Sequence, residues 1–403
     1  MDRETVDSLL TGMLQSADGL SDLLFISGKP PLVEEHGRLR QFTGSALSPQ
    51  FIEQLAYHIM EGSERLKAEF TNTGSCDCSY AIENLARFRV NIFKQNAKHA
   101  VVMRKLQSDV PTLEKLGLPP IFREIVKEKN GIVLVTGGTG TGKTTTLAAM
   151  LNELNQTDEI HIVTLEDPIE FFHSHGKAAI SQRELNKDFH SFAEGLRAAL
   201  RQAPKAILVG EIRDPETLEI AMTASETGHV VFSTLHTINA GQTINRIIGM
   251  FPRDEEQQLR LRLSESLRYV VSQRLVSKIE GGRLLVTEIM GNNLRTRETI
   301  IYGESENKTF SEIIEAGSTL GWHTFDQSLL AAYEAGTVTE DTVMLSCTNK
   351  GRVRRELDVI QKRNGTAVAH APSGLKLNIP EPIRIIDEDA IPFSGPPPLP
   401  FKR

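Results

Sequence analysis

Residues 137–144 read Gly-Gly-Thr-Gly-Thr-Gly-Lys-Thr and fit the pattern G-x-x-x-x-G-K-[ST] without a mismatch. This stretch constrains the fold more than any other, because it works only where a strand hands over to a helix. Its glycines let the backbone turn tightly and aim N–H groups at phosphate oxygens, while the lysine adds charge and the last hydroxyl reaches Mg²⁺. The flanks have the required character. GIVLV (131–135) reads as a buried strand, and TTTLAAMLNELN (144–155) puts Leu147, Met150, Leu151 and Leu154 on one helical face. A Gly-rich turn without a ligand needs neither flank. The loop is therefore expected to bind a nucleoside triphosphate through Gly138, Thr139, Gly140, Thr141, Gly142, Lys143, Thr144 and Thr145, with Thr144 as a direct Mg²⁺ ligand.

Beyond the loop, strands and helices alternate. HIVTLE (161–166), AILVG (206–210) and HVVFSTL (229–235) read as strands, with helices expected over 191–203 and 214–228. Asp214 suits an N-cap, Pro215 the first helical position and Gly228 the residue after the end. Such alternation implies an α/β fold with a mostly parallel sheet covered on both faces. Residues 254–275 and 308–335 are expected to be helical. Upstream, 1–107 reads as a small α/β domain in which ARFRVNIF (86–93) and AVVMRKL (100–106) form a hairpin. Three prolines within SDVPTLEKLGLPP mark 108–120 as a linker to the domain over 121–364. The last stretch, 365–403, holds eight of the eighteen prolines and ends in PPPLPFKR, a composition that is expected to stay disordered.

Composition excludes several classes. A net charge of −7 argues against a general nucleic-acid binder. No run of eighteen apolar residues would span a membrane, and the acidic start lacks the order of a signal peptide. Three cysteines provide no disulfide framework, so a cytoplasmic location is expected.

Triphosphate hydrolysis needs an acid for Mg²⁺ and water, and charge for the transferring phosphoryl group. AILVGE (206–211) is a buried strand ending in Glu211, with Gly210 where many P-loop enzymes have Asp, so Glu211 is expected to hold Mg²⁺ through water. LEDPIE (165–170) sets three carboxylates at a strand's C-terminal end, where ligands bind in such sheets. Glu170 is the first choice for orienting the attacking water and Glu166 the second. His236, at the phosphate edge of its strand, reads as a γ-phosphate sensor. His229, at the other end, reads as structural or interfacial and is kept in the nucleotide-binding set.

In this order, the P-loop, LEDPIE, VGEIRDPET and TGHVVFSTLHT resemble the Walker A, Asp, Walker B and His boxes of the type II/IV secretion ATPase superfamily. Within it the chain is similar to the type IV pilus retraction ATPase (PilT/PilU) family, through SDLLF, GKPPLVEEHGRL, RFRVNIF, LGLPPIF, TINRIIGMFP and TFDQSLL. It departs at Leu24, where the family usually has His, and at Lys98, in a turn that often holds Arg. The resemblance implies a PAS-like N-terminal domain on a RecA-like motor, assembled as a homohexameric ring that hydrolyses ATP with Mg²⁺. It also implies that Arg89 and Arg104 reach phosphates. The implied work is pilus retraction through an inner-membrane platform protein, from the cytoplasmic side of the pilus base. Assembly and secretion ATPases of the superfamily typically carry zinc-binding Cys pairs after the His box, where this chain has only Cys347.

Overall fold

Two sheets form from two successive stretches of the chain. The computed structural model describes residues 1–363 except 17, 18, 36, 37, 43, 84, 107, 108 and 307. The proline-rich stretch 365–403 lies outside the described residues. Residues 1–354 make up one compact unit, and a second begins at residue 355.

The first sheet has six strands. Its segment runs α1 (Arg3–Leu14), β1 (Leu20–Phe25), β2 (Leu32–Glu35), β3 (Arg38–Gln41), α2 (Pro49–Ile59), α3 (Glu64–Thr73), β4 (Ser75–Ile82), β5 (Ala86–Gln95) and β6 (Lys98–Lys105). The strands pair antiparallel in the order β3-β2-β1-β6-β5-β4. Ala86, Phe88, Val90 and Ile92 of β5 are buried in one core with Val6, Leu10, Ile52, Leu55 and Phe70 of the helices. Strand periodicity sends Arg87 and Arg89 to the opposite face. The expected hairpin is present and longer than expected. It closes through Asn96 and Ala97, both at positive φ, which matches the twist of a two-residue hairpin turn.

The second segment runs α4 (Ile121–Ile125), β7 (Gly131–Thr136), α5 (Lys143–Thr157), β8 (His161–Glu166), β9 (Ala179–Glu184), α6 (Phe192–Ala199), β10 (Ala206–Val209), α7 (Pro215–Glu226), β11 (Val230–Leu235), α8 (Ala240–Ile248), α9 (Glu256–Ser266), β12 (Leu267–Ser277) and β13 (Arg283–Gly291). Helices α10 (Leu294–Tyr302), α11 (Phe310–Ala316), α12 (Phe325–Glu334), α13 (Glu340–Ser346) and α14 (Lys350–Arg363) follow. The sheet order is β13-β12-β7-β11-β10-β8-β9, parallel throughout except for β13 at the edge. Every residue of β7, β10 and β11 is buried, as strands covered on both faces require. A fully buried side chain such as Phe232 contributes about 2–3 kcal/mol to this core. The expected cap holds at α7, where the Asp214 carboxylate accepts from the Thr217 N–H at 2.8 Å.

Three expectations are corrected. Residues 254–275 are not one helix, because α9 stops at Ser266 and the chain continues as β12 beside β7. The span 308–335 is broken between α11 and α12, with Gly321 in a left-handed conformation at the break. The helix expected over 191–203 is shorter, with Ala203 at positive φ beyond its end.

Candidate active site

A cleft of about 1250 Å³ opens at the C-terminal edge of the parallel sheet. The residues following β7, β8, β10 and β11 line it: Thr139–Leu147, Glu166–Pro168 with Glu170, Gly210 with Glu211, and His236. Arg89 enters from the six-stranded sheet, and Pro111 with 114–117 from the connecting segment.

The phosphate loop has the backbone its glycines were expected to permit. Gly137 has φ +148°, and a Cβ there would come within 2.7 Å of the Gln273 carbonyl. Gly142, at φ +89°, caps α5 without any side-chain hydrogen bond, so the first turn directs its N–H groups into the cleft edge. Lys143 is only 9% exposed, and its ammonium donates to the carbonyls of Gly137 (3.0 Å) and Gly138 (2.9 Å). Burial lowers its pKa, opposed by the nearby Glu211 and Glu170 carboxylates. Both opposing acids come from the boxes expected to act with it.

Glu211 accepts from Arg213 at 2.5 Å and lies 3.7 Å from His236 Nε2. Burial, reinforced by Lys143 and Arg213, holds the His236 imidazole below its usual pKa despite Glu211. Glu166 is buried and accepts from Thr164 Oγ1 (2.6 Å) and Gln182 Nε2 (3.2 Å). Burial pushes its pKa up to about 7, outweighing those hydrogen bonds. The peptide before Pro168 is cis.

Hydroxyl and carboxylate oxygens at Thr144 and Glu211 are hard donors of the kind Mg²⁺ takes. Among the described residues no cluster of three or more His, Cys, Asp or Glu could hold a metal.

Two expectations are not met within one chain. Arg104 sits opposite Arg89 in the β5–β6 register, but its Nε donates to Asp22 Oδ1 at 2.9 Å, and it does not line the cleft. The β1–β6 register pairs Asp22 with Arg104 directly, which satisfies the guanidinium locally. His229 stands before the N-terminal end of β11, away from the cleft, with Nδ1 3.0 Å from the Ala224 carbonyl and 3.2 Å from Thr227 Oγ1. Several cleft-lining residues lie outside the expected set, among them the cations Lys115, Arg213, Lys278 and Arg283. Arg213 lies two residues beyond Glu211, a spacing visible in VGEIRDPET, whereas Lys278 and Arg283 arrive on a β-hairpin whose strands were not recognised. Lys115 and Leu116 come from the segment read as linker, where LGLPPIF also carries part of the family resemblance.

Glu166 makes a testable pH dependence. Its folded pKa lies above its unfolded value, so its contribution to stability is full below pH 4.5 and is lost as pH rises towards 7. Glu166→Gln keeps the acceptor oxygen and removes the titration. Wild type is expected to lose up to about 3 kcal/mol relative to this variant between those pH values. Urea unfolding of both proteins across pH 4–8 measures the difference, and parallel curves would show that Glu166 does not titrate in this range.

The comparisons with known proteins agree with this geometry. The family model described as type II/IV secretion system protein matches residues 59–282. The type IV pilus retractation ATPase PilT of Pseudomonas aeruginosa is 42% identical over 323 residues, 80% of this chain and 93% of that protein. The type IV pilus ATPase PilU of the same organism is 34% identical over 362 residues, 90% of this chain and 94% of that protein. The crystal structure of a pilus retraction motor PilT with bound ADP superposes with a TM-score of 0.78 at 38% identity, covering 87% of this chain and 99% of that one. A mixed α/β fold with a parallel sheet, four boxes on one cleft and relatives spanning nearly their whole length lead to one assignment: the chain belongs to the type II/IV secretion system protein family, in its PilT/PilU group of pilus ATPases.

Proposed function

We propose that this chain is an ATP-hydrolysing motor of type IV pilus retraction, and so of twitching motility. The observation that carries the reading is the convergence of Lys143, Thr144, Glu166, Glu170, Glu211 and His236 on one cleft, faced by Arg89 from the other sheet. In this reading the N–H groups of the loop, with Lys143, neutralise the β- and γ-phosphates. Thr144 directly and Glu211 through water would hold Mg²⁺, which would supply Lewis-acid stabilisation of the phosphoryl oxygens. Glu170, with Glu166 behind it, orients a water whose oxygen attacks the γ-phosphorus as the bond to the β-phosphate oxygen breaks. The released proton passes to a carboxylate, leaving ADP and phosphate. His236 donates a hydrogen bond to the γ-phosphate, and Arg89 adds charge there.

The domain plan proposed with it is a PAS-like domain over 1–107, a linker over 108–120, a RecA-like motor over 121–364 and a proline-rich tail over 365–403. Six copies would form a ring whose neighbours complete each site, with Arg104 and His229 near subunit boundaries. The ring would dock peripherally on an inner-membrane platform protein. Among the described residues no helix is long and apolar enough to cross a membrane.

Phosphate release measured against protein concentration, with light scattering on the same samples, tests the ring. Turnover per chain is expected to rise as the hexamer forms, and a fully active monomer rules the ring out. Deleting the gene distinguishes the direction of work. Hyperpiliated, non-twitching cells support retraction, and bald cells identify an assembly motor instead.

A further inference from the structure

One buried carboxylate outside the cleft ties the two sheets together. Glu184 ends β9 and is only 4% exposed. Its Oε2 accepts from Arg87 Nη2 at 2.5 Å and from the Ile169 N–H at 3.4 Å. Its Oε1 accepts from Ser79 Oγ at 3.2 Å and pairs with Lys187 Nζ at 2.6 Å. Arg87 and Ser79 belong to β5 and β4 of the six-stranded sheet, whereas Ile169 immediately precedes Glu170 in the acidic loop. The Arg87 guanidinium also lies over the Phe172 ring, 4.2 Å from its centroid. The loop is thus held on both sides of Glu170, at 169 and at 172, by groups anchored to Arg87 and Glu184.

Strand geometry carries the same anchor into the cleft. Arg87 and Arg89 are two residues apart on β5, so they share a face at a spacing of roughly 7 Å. Fixing Arg87 on Glu184 therefore fixes where Arg89 enters the cleft. Neither Arg87 nor Glu184 lines the cleft itself, so any effect they have on the reaction passes through their neighbours.

We propose that Arg87 and Glu184 are a positioning pair that sets Arg89 against Glu170 across the cleft, so that the hydrolytic step depends on the pair more than nucleotide binding does. The proposal rests on the ATPase reading above. Loop and strand belong to different sheets, and this ion pair joins them beside the reacting groups. A displacement of about 1 Å at such a site is enough to cost up to a hundredfold in rate.

The test uses the full-length chain with two gentle variants and their combination. Arg87→Met keeps the aliphatic stem and removes the charge, and Glu184→Gln keeps an acceptor for the Ile169 N–H. Each is expected to lower kcat about tenfold or more, with KM and the affinity for ADP within about twofold of wild type. The double variant should be no slower than the slower single, because the two act as one unit. Arg87→Lys, which keeps the charge, should recover part of the lost kcat. Hydrogen exchange across 168–172 should quicken in each slowed variant. Wild-type kcat in Arg87→Met and Glu184→Gln overturns the proposal, as do independent, multiplicative losses or a kcat loss with unchanged exchange. If a single variant does not fold, the double removes both charges together and remains measurable, and wild-type kcat there overturns the proposal equally. Turnover that is absent in wild type, or unchanged in Lys143→Ala, would instead sink the ATPase reading and the proposal with it.

Discussion

Lys143→Ala is expected to lower ATP turnover at least about a hundredfold, which corresponds to about 2.7 kcal/mol of transition-state stabilisation. The ammonium is nearly buried at the N-terminal end of α5 and already held by the Gly137 and Gly138 carbonyls. Its position is therefore set before a phosphate arrives, so little reorganisation is needed when charge develops. Alanine keeps the helix and removes only the charge and its stem, so the melting temperature should change little. Phosphate release at saturating ATP, with thermal unfolding as a control, makes the measurement. Turnover comparable to wild type would place the nucleotide elsewhere, and with it the whole assignment of the cleft.

The second large effect separates the two acids. Glu211→Gln and Glu170→Gln should each lose most turnover, on the order of a hundredfold, while nucleotide affinity stays close to wild type. They should differ in what restores them. Glu211 sits among Arg213, His236 and Lys143, and in the proposed mechanism it serves Mg²⁺. Its variant should need a higher Mg²⁺ concentration for half-maximal rate. Glu170 sits on the loop pinned at Ile169 and, in that mechanism, serves the water, so added Mg²⁺ should not help its variant. Calorimetric titration of nucleotide and Mg²⁺-dependent rates on both proteins distinguish these outcomes. Weakened binding without a specific rate defect would make both carboxylates structural.

Much of the site could be read directly from residue order. Short-range chemistry does not depend on distant partners. A Gly-rich turn between an apolar strand and an amphipathic helix has few conformations, and the carboxylates of LEDPIE and VGE follow strands whose burial is written in their composition. The cap at Asp214 and the strand–helix alternation belong to the same local class, and all are present in the structure. The strand after Ser266 was not legible, because LRYVVSQRLV becomes a strand only when β7 offers it an edge. With that strand went Lys278 and Arg283, whose place on the cleft depends on it.

Arg104 shows the same limit from the other side. Its sequence position matches that of Arg89, yet the β1–β6 register sets Asp22 against it and satisfies its charge away from the cleft. In sequence Arg87 is only a basic neighbour of Arg89, while the pairing of β8 with β9 brings Glu184 to it from 97 residues away. What the chain alone determined is the chemistry of each loop at the sheet edge, because backbone turns and strand burial are local properties. Which charges meet across the cleft was decided only by tertiary structure, since strand register and the contact between two sheets select among cations that look equivalent in sequence.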